Sequence, residues 1–214
     1  MKRIILLFLP LLAACSLFAH KEYAPNPDPE NHIHADFAVW IGDEKLDFTD
    51  PKYMSGVSYD EESHDEKEEY HHEHLHLHDG VGWVIHAHKT GYTIADSLGS
   101  IGLLMGAQCM RLESGVDICP NELSETWRMF VRHQPLKENA WEERAWDPDY
   151  AFRDMDQILL TFQKDDSAAA AKIEDQKAAM TDDACLYSRT CPWRGEPPVE
   201  NCISDPEVPC VLGE

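Results

Sequence analysis

The sequence predicts an α+β fold, a mixed sheet packed on one helix with an inserted His-x-His hairpin, followed by a second helix and a disulfide-rich C-terminal tail. Three observations predict it. Several segments alternate apolar and polar side chains with the period-2 pattern of half-buried strands. A capped helical pattern with apolar residues on one face begins at Thr93. Cysteines and prolines then gather at the C-terminal end, where regular periodicity stops. At 214 residues, the chain is long enough for one core domain with appendages and too short for two large ones.

The first residues belong to export rather than to the fold. Lys2 and Arg3 precede a short apolar run that gives way to small residues, the pattern of a secretory signal at residues 1–14. The run is too short for a permanent membrane helix. It ends in Leu12-Ala13-Ala14-Cys15, which resembles the lipobox of bacterial lipoproteins. That resemblance implies that Cys15 is acylated and becomes the first mature residue, anchored at the outer membrane or cell surface. Ser16 follows it, with no Asp there to suggest inner-membrane retention by the usual sorting pattern. Residues 15–30 then form an extended tether, with three prolines in the segment KEYAPNPDPE.

A core domain is expected over residues 31–163. Residues 32–41 (HIHADFAVWI) place Ile33, Ala35, Phe37, Val39 and Ile41 on one side of a strand, with His32, His34, Asp36 and Trp40 on the other. Gly42-Asp43 turns into a short second strand at residues 45–48. Residues 60–73 hold eight acids and one Lys in fourteen positions; such a segment cannot bury a core face and reads as a mobile loop. Residues 74–78 and 83–88 form a hairpin around Asp79-Gly80-Val81-Gly82. Thr93 opens a helix with Asp96 completing a capping box, Ile94, Leu98 and Ile101 share its apolar face, and Gly102 stops it. Residues 127–132 and 157–162 are two further strands. Ser167 caps an Ala-rich helix within residues 164–181. Residues 182–214 make an irregular tail.

This order resembles the β-grasp, or ubiquitin-like, family, most closely its small sulfur carriers. FAVWIGDEKLDF is similar to their opening hairpin, YTIADSLGSIGL to their helix and its exit, and DMDQILLTF to their last strand. The likeness spans Asp36 to Phe162. Sulfur carriers end in Gly-Gly directly after that strand, whereas here Gln163-Lys164 and a long further segment follow. Their chemistry therefore does not transfer. The segment ACLYSRTCPWRGEPPVENC is similar to uncharacterised exported bacterial proteins, a resemblance that implies no activity.

Composition narrows the function. Lys and Arg number 18 against 40 Asp and Glu, a formal charge of −22. Loss of Lys2 and Arg3 with the signal brings the mature value to −24. Such a surface repels phosphate backbones, which argues against nucleic-acid partners, and concentrates cations. Contact with a membrane is expected through the lipid alone, and no protein partner is indicated. Six cysteines remain after Cys15: Cys109, Cys119, Cys185, Cys191, Cys202 and Cys210. An even set in an exported chain reads as disulfides, Cys109 with Cys119 and the last four among themselves being the simplest pairing. None forms a Cys-x-x-Cys pair, which leaves a thioredoxin-like site without support.

Ten of twelve histidines fall between His32 and His88. Residues i and i+2 of a strand project from one face, so His-x-His lets two imidazoles converge on one ion. The pattern occurs at His32/His34, His74/His76/His78 and His86/His88. In the hairpin, Leu75 and Leu77 can share the core face with Trp83, Ile85 and Ala87 only if paired residue numbers sum to an even value. That register sets His74 opposite or diagonal to His86 and gathers all five hairpin histidines on the other face. If the first strand lies alongside, all seven histidines and Asp36 line one surface. The bland alternative is a polar, solvated sheet face. Seven histidines at strict alternation exceed what polarity alone requires, and an all-imidazole set suits Zn²⁺ or Cu²⁺, with Ni²⁺ a further candidate. Met105 and Met110 read as core or loop residues.

Three imidazoles with an open position also hold catalytic zinc. HLHLHDG superficially resembles the His-x-His strand of carbonic anhydrases, but nothing else in the chain does. The metallo-β-lactamase and cupin spacings are absent, and no nucleophile elbow or phosphate loop appears. Asp36, Glu73 and Asp79 are available as general bases beside a metal-bound water, with nothing to select one. A third possibility is an interaction module for a protein or glycan, using an exposed aromatic patch that includes Trp40. Capture, buffering or delivery of a divalent transition metal is the simplest function. Because ligation needs neutral imidazole, affinity should fall below about pH 6.5. Calorimetry from pH 7.5 downward checks this; a His76→Ala/His86→Ala double variant should retain less metal through purification.

Overall fold

The computed structural model describes residues 32–54, 74–77, 79–133 and 140–198. The residues expected to form a signal, lipobox and tether, including Cys15, together with the acidic segment 60–73, His78, Cys202 and Cys210, lie outside the described residues. What is described is an α+β arrangement built on one mixed sheet and a few short helices.

Two long strands form the centre. β1 (Ile33–Ile41) runs parallel to β10 (Asp156–Lys164), with Asp36 opposite Gln157 and Ile41 opposite Phe162. On one side β4 (Val84–Ala87) pairs antiparallel with β1, and β3 (Leu75–His76) pairs antiparallel with β4. On the other, β8 (Glu125–His133) and then β9 (Glu142–Arg144) continue the sheet. β2 (Glu44–Lys45) folds back on the end of β1. It is shorter than the strand expected at residues 45–48, because Phe48 leaves the ladder to enter the core.

Alternation along β1 and β10 builds two buried layers. Ile33, Ala35, Phe37 and Val39 join Ile158, Leu160 and Phe162 in the main apolar core, with Leu75, Leu77, Ile85 and Ala87 from the hairpin strands. The helix α1 (Ile94–Gly99) closes this core with Ile94 and Leu98, and its Thr93/Asp96 capping box is present as expected. Met105 and Met110 are buried in the same core. On the opposite face, Ala38, Phe130 and Leu159 pack against Ile173 of α2 (Ser167–Ala178). α2 is capped by Asp166, whose carboxylate accepts from the Ala169 N–H, rather than by Ser167; one residue earlier, the acid reaches the same orphan donor. Trp40 is half-buried against this second cluster instead of standing on an exposed patch.

Three features have no counterpart in the sequence reading, of which the edge strand β9 is the first. A small sheet of β5 (Leu104–Met105), β6 (Met110–Arg111) and β7 (Asp117–Ile118) follows α1. The Cys109–Cys119 disulfide closes it, and Trp127 Nε1 donates to Ile118 O at 2.9 Å to tie it to the main sheet. In the tail, α3 (Ala184–Tyr187) sits within a segment bridged by Cys185–Cys191. Both disulfides agree with the expected pairing and with an oxidising, extracytoplasmic compartment. Among the described residues, no helix is long and apolar enough to cross a membrane.

The turn into β4 depends on Gly82. A Cβ there would come within 2.6 Å of the Phe48 carbonyl oxygen and the Thr49 nitrogen, both backbone atoms that cannot rotate away. Gly82→Ala should therefore cost about 1–3 kcal/mol, as overpacking does. Urea unfolding measures it, and an unchanged midpoint would mean that the Phe48 backbone yields freely.

Candidate metal centre

The register of β1, β4 and β3 gathers the histidines. His34 lies opposite His86 on β4, and His86 lies opposite His76 on β3, so one row of imidazoles crosses three strands. One step along, the His88 N–H donates to His74 O at 2.9 Å, and the His32 and His88 rings are 4.8 Å apart. His74 is thus diagonal to His86, and the paired residue numbers sum to an even value in both ladders. Ile33, Ala35, Phe37 and Val39 of β1, Leu75 of β3, and Ile85 and Ala87 of β4 fall in the main core, which turns the imidazoles to the opposite face. Trp83, expected beside Ile85 on the core face, is instead half-buried outside that core, with its Nε1 on Asp183.

The rings form a contiguous cluster. Centroids are 4.5 Å apart for His32 and His34, 4.9 Å for His34 and His86, 5.4 Å for His76 and His86, and 5.0 Å for His76 and His88. Within it, His32, His34 and His86 each offer a ligand atom, and the three atoms lie within 4.8 Å of one another. A tetrahedral ion with metal–nitrogen bonds near 2.0–2.1 Å sets neighbouring nitrogens about 3.3–3.4 Å apart. The three atoms would have to draw together to reach that spacing, and a set this close could hold a metal ion. His76 and His88 adjoin the triad. His74 stands at the margin, half-buried, with its ring 6.2 Å from Tyr92.

The face is not a solvated one. His34, His86 and His88 are fully buried, and His76 and His32 nearly so, at 3% and 9% exposure. The segment 181–188 roofs them. Asp36, two residues beyond His34 on the same face, accepts from the Thr181 hydroxyl at 2.7 Å, the Asp183 N–H at 2.9 Å and the Ala184 N–H at 3.0 Å. These bonds seat the start of α3 on β1. Trp83 Nε1 and Arg194 grip Asp183 from either side, at 2.8 and 2.7 Å. The Tyr187 ring then lies 4.6 Å from His86 and 5.4 Å from His34, while the Ser188 hydroxyl meets His34 Nδ1 at 2.8 Å. Behind Ser188 stands Asp154, which accepts from the His34 backbone N–H at 3.0 Å.

Two carboxyl groups stand close to the imidazoles. Burying a divalent ion among neutral rings is costly unless negative charge stands close. Asp154 is 3.8 Å from His34 Nδ1, and Asp36 is on the adjoining position of the same strand face. Burial pushes the Asp36 carboxyl up to about 7, against the pull of its bonds to Thr181, Ala184 and Asp183. With all of its oxygens engaged by the roof, Asp36 is a structural anchor rather than a general base. Asp79 is exposed in the hairpin turn, and Glu73 lies outside the described residues.

Thr181, Asp183, Tyr187, Ser188 and Asp154 were not legible as site residues. The one available signal is Thr181-Asp182-Asp183 ahead of a short apolar run, a helix-start pattern inside what otherwise reads as irregular tail. Comparison with protein-family models, curated proteins and solved structures finds no match to the chain.

Asp36→Leu should strand the roof's donors in the interior. Each buried donor left without an acceptor costs about 1–3 kcal/mol, so a large drop in melting temperature is expected by calorimetry. A melting temperature within a degree of the parent chain would show that the roof is not held through Asp36.

Proposed function

We propose that the protein is an exported lipoprotein that binds a divalent transition metal, Zn²⁺ or Cu²⁺ foremost and Ni²⁺ as a further candidate, through His32, His34 and His86. The observation that carries this reading is the buried convergence of three imidazoles from two paired strands, with ligand atoms within 4.8 Å. His76 and His88 extend the imidazole surface around the triad, and the acidic body draws cations toward it. The lipobox-like Leu12–Cys15 segment would hold the protein at a membrane surface, and its role there would be capture, buffering or delivery of the metal.

The finer fold reading belongs to the same proposal. We read the sheet as β-grasp-like. In support, its first and last long strands pair in parallel at the centre, a hairpin partner lies beside the first, and a helix packs on one face. The histidine-bearing β3–β4 pair then stands as an insertion between the opening strands and the helix.

A metal-dependent hydrolase or oxidase is the second reading, favoured by three nitrogen ligands that leave a coordination position open. Burial beneath Tyr187 and Ser188 weighs toward retention of an ion over turnover of a substrate. For the interaction-module reading, Trp40, the residue expected on an exposed aromatic patch, is half-buried against the cluster of Ala38, Phe130, Leu159 and Ile173.

Titration with Zn²⁺ at pH 7.5 tests the proposal. His34→Ala and His86→Ala should each weaken binding by more than the roughly 10–100-fold that second-shell changes cost. His133→Gln, which alters a histidine held by Asp156 outside the cluster, should leave it unchanged. Wild-type affinity in His34→Ala would overturn the triad as the site.

A further inference from the structure

Ser188 follows α3, is fully buried, and stands between two polar groups. Its Oγ is 2.6 Å from Asp154 Oδ1 and 2.8 Å from His34 Nδ1. A carboxylate only accepts, so the single hydroxyl hydrogen points to Asp154. What the hydroxyl presents to His34 is therefore a lone pair. The atom that meets it, Nδ1, must carry a hydrogen. In a neutral imidazole the remaining electron pair is then on Nε2. A direct bond from the ring to Asp154 does not compete, because 3.8 Å is beyond hydrogen-bond reach. The same Asp154 oxygen also takes the His34 backbone N–H at 3.0 Å, so the strand that carries the imidazole orients the carboxylate as well.

We propose that Asp154 and Ser188 are positioning residues that fix His34 as the Nδ1–H tautomer and present Nε2 as its metal-ligating atom. The ligating role rests on the metal-centre reading above, whereas the tautomer does not. Two consequences follow for an arriving ion. The carboxylate's charge, relayed through the hydroxyl, makes Nε2 a better electron donor. His34 also needs no proton moved or lost when it coordinates, because Nδ1 keeps its hydrogen throughout.

Long-range ¹H–¹⁵N NMR of the metal-free, histidine-labelled full-length chain at pH 8 reads the tautomer of each ring, with His34 assigned by loss of its signals in His34→Gln. His34 is expected as Nδ1–H in the wild type and in Ser188→Thr, which keeps the hydroxyl, and as Nε2–H or a mixture in Ser188→Ala. Titration with Zn²⁺ and with Co²⁺ should show Ser188→Ala binding about 10–100-fold more weakly, with the shape of the Co²⁺ absorption spectrum retained. An Nε2–H ring in the wild type overturns the relay, however tightly Zn²⁺ binds. Nδ1–H in a chain that takes neither ion overturns the metal-centre reading and the ligating role with it. Undiminished Zn²⁺ affinity in Ser188→Ala, with the tautomer lost, overturns the positioning role.

Discussion

The two-residue period of β1 is the constraint on which the rest of the molecule depends. Ile33, Ala35, Phe37 and Val39 have to face α1 and the hairpin's leucines, and every intervening side chain is then turned to the opposite layer. Those intervening residues are His32, His34, Asp36 and Ala38. Ala38 joins the apolar cluster under α2, while the others must be covered by polar partners or not at all. The roof of residues 181–188 meets this requirement. Its hydroxyls and amides satisfy Asp36 and His34, and the Tyr187 ring covers the imidazole pair. The apolar core thus decides the histidines' direction, and the histidines decide what the C-terminal segment has to be.

Much of this was legible in the residues because it obeys short-range rules. Strand alternation located β1 and β10, Thr93 with Asp96 marked the start of α1, and the parity of Leu75, Leu77, Ile85 and Ala87 put the hairpin histidines on a common face. Cys109–Cys119 closes a ten-residue separation that local spacing suggests. The parts that escaped are those in which the partner is distant and polar. Nothing adjacent to Asp36 announces that its acceptors are filled by Thr181 and Asp183. A Ser at 188 and an Asp at 154 are ordinary surface residue types until the fold brings them beside His34. Burial of the imidazoles escaped for the same reason, since alternation distinguishes two faces without saying what lies over either one. The small β5–β6–β7 sheet was missed because two-residue strands carry no period.

Charge is distributed on two scales. The chain as a whole is strongly acidic, which raises the local concentration of cations without choosing among them. At the cluster the acids are few and committed: Asp36 to the roof, Asp154 to the His34 backbone and to Ser188. Coordination of the proposed metal would be left to nitrogen, which favours borderline transition metals over calcium or magnesium. The buried environment would add selectivity of a second kind, because an ion would have to shed its water to reach rings with so little exposure. Access then depends on the roof. Its hold on the sheet includes hydrogen bonds to Asp36, His34 and Gln157, with Trp83 Nε1 on Asp183 beside them and the Cys185–Cys191 disulfide bracing the segment.

The roof also imposes an order in time. His34 meets Asp154 across 120 residues and Ser188 across 154, and β1 finds its parallel partner in the sequence-distant β10. Contacts of such sequence separation form slowly, after local hairpins and helices. A chain synthesised from its N-terminus presents its histidines first and their cover last. Until residue 188 has joined them, the imidazoles lack that cover. The covered cluster therefore requires the chain through Ser188, and a fragment that stops short of it leaves the imidazoles without their roof.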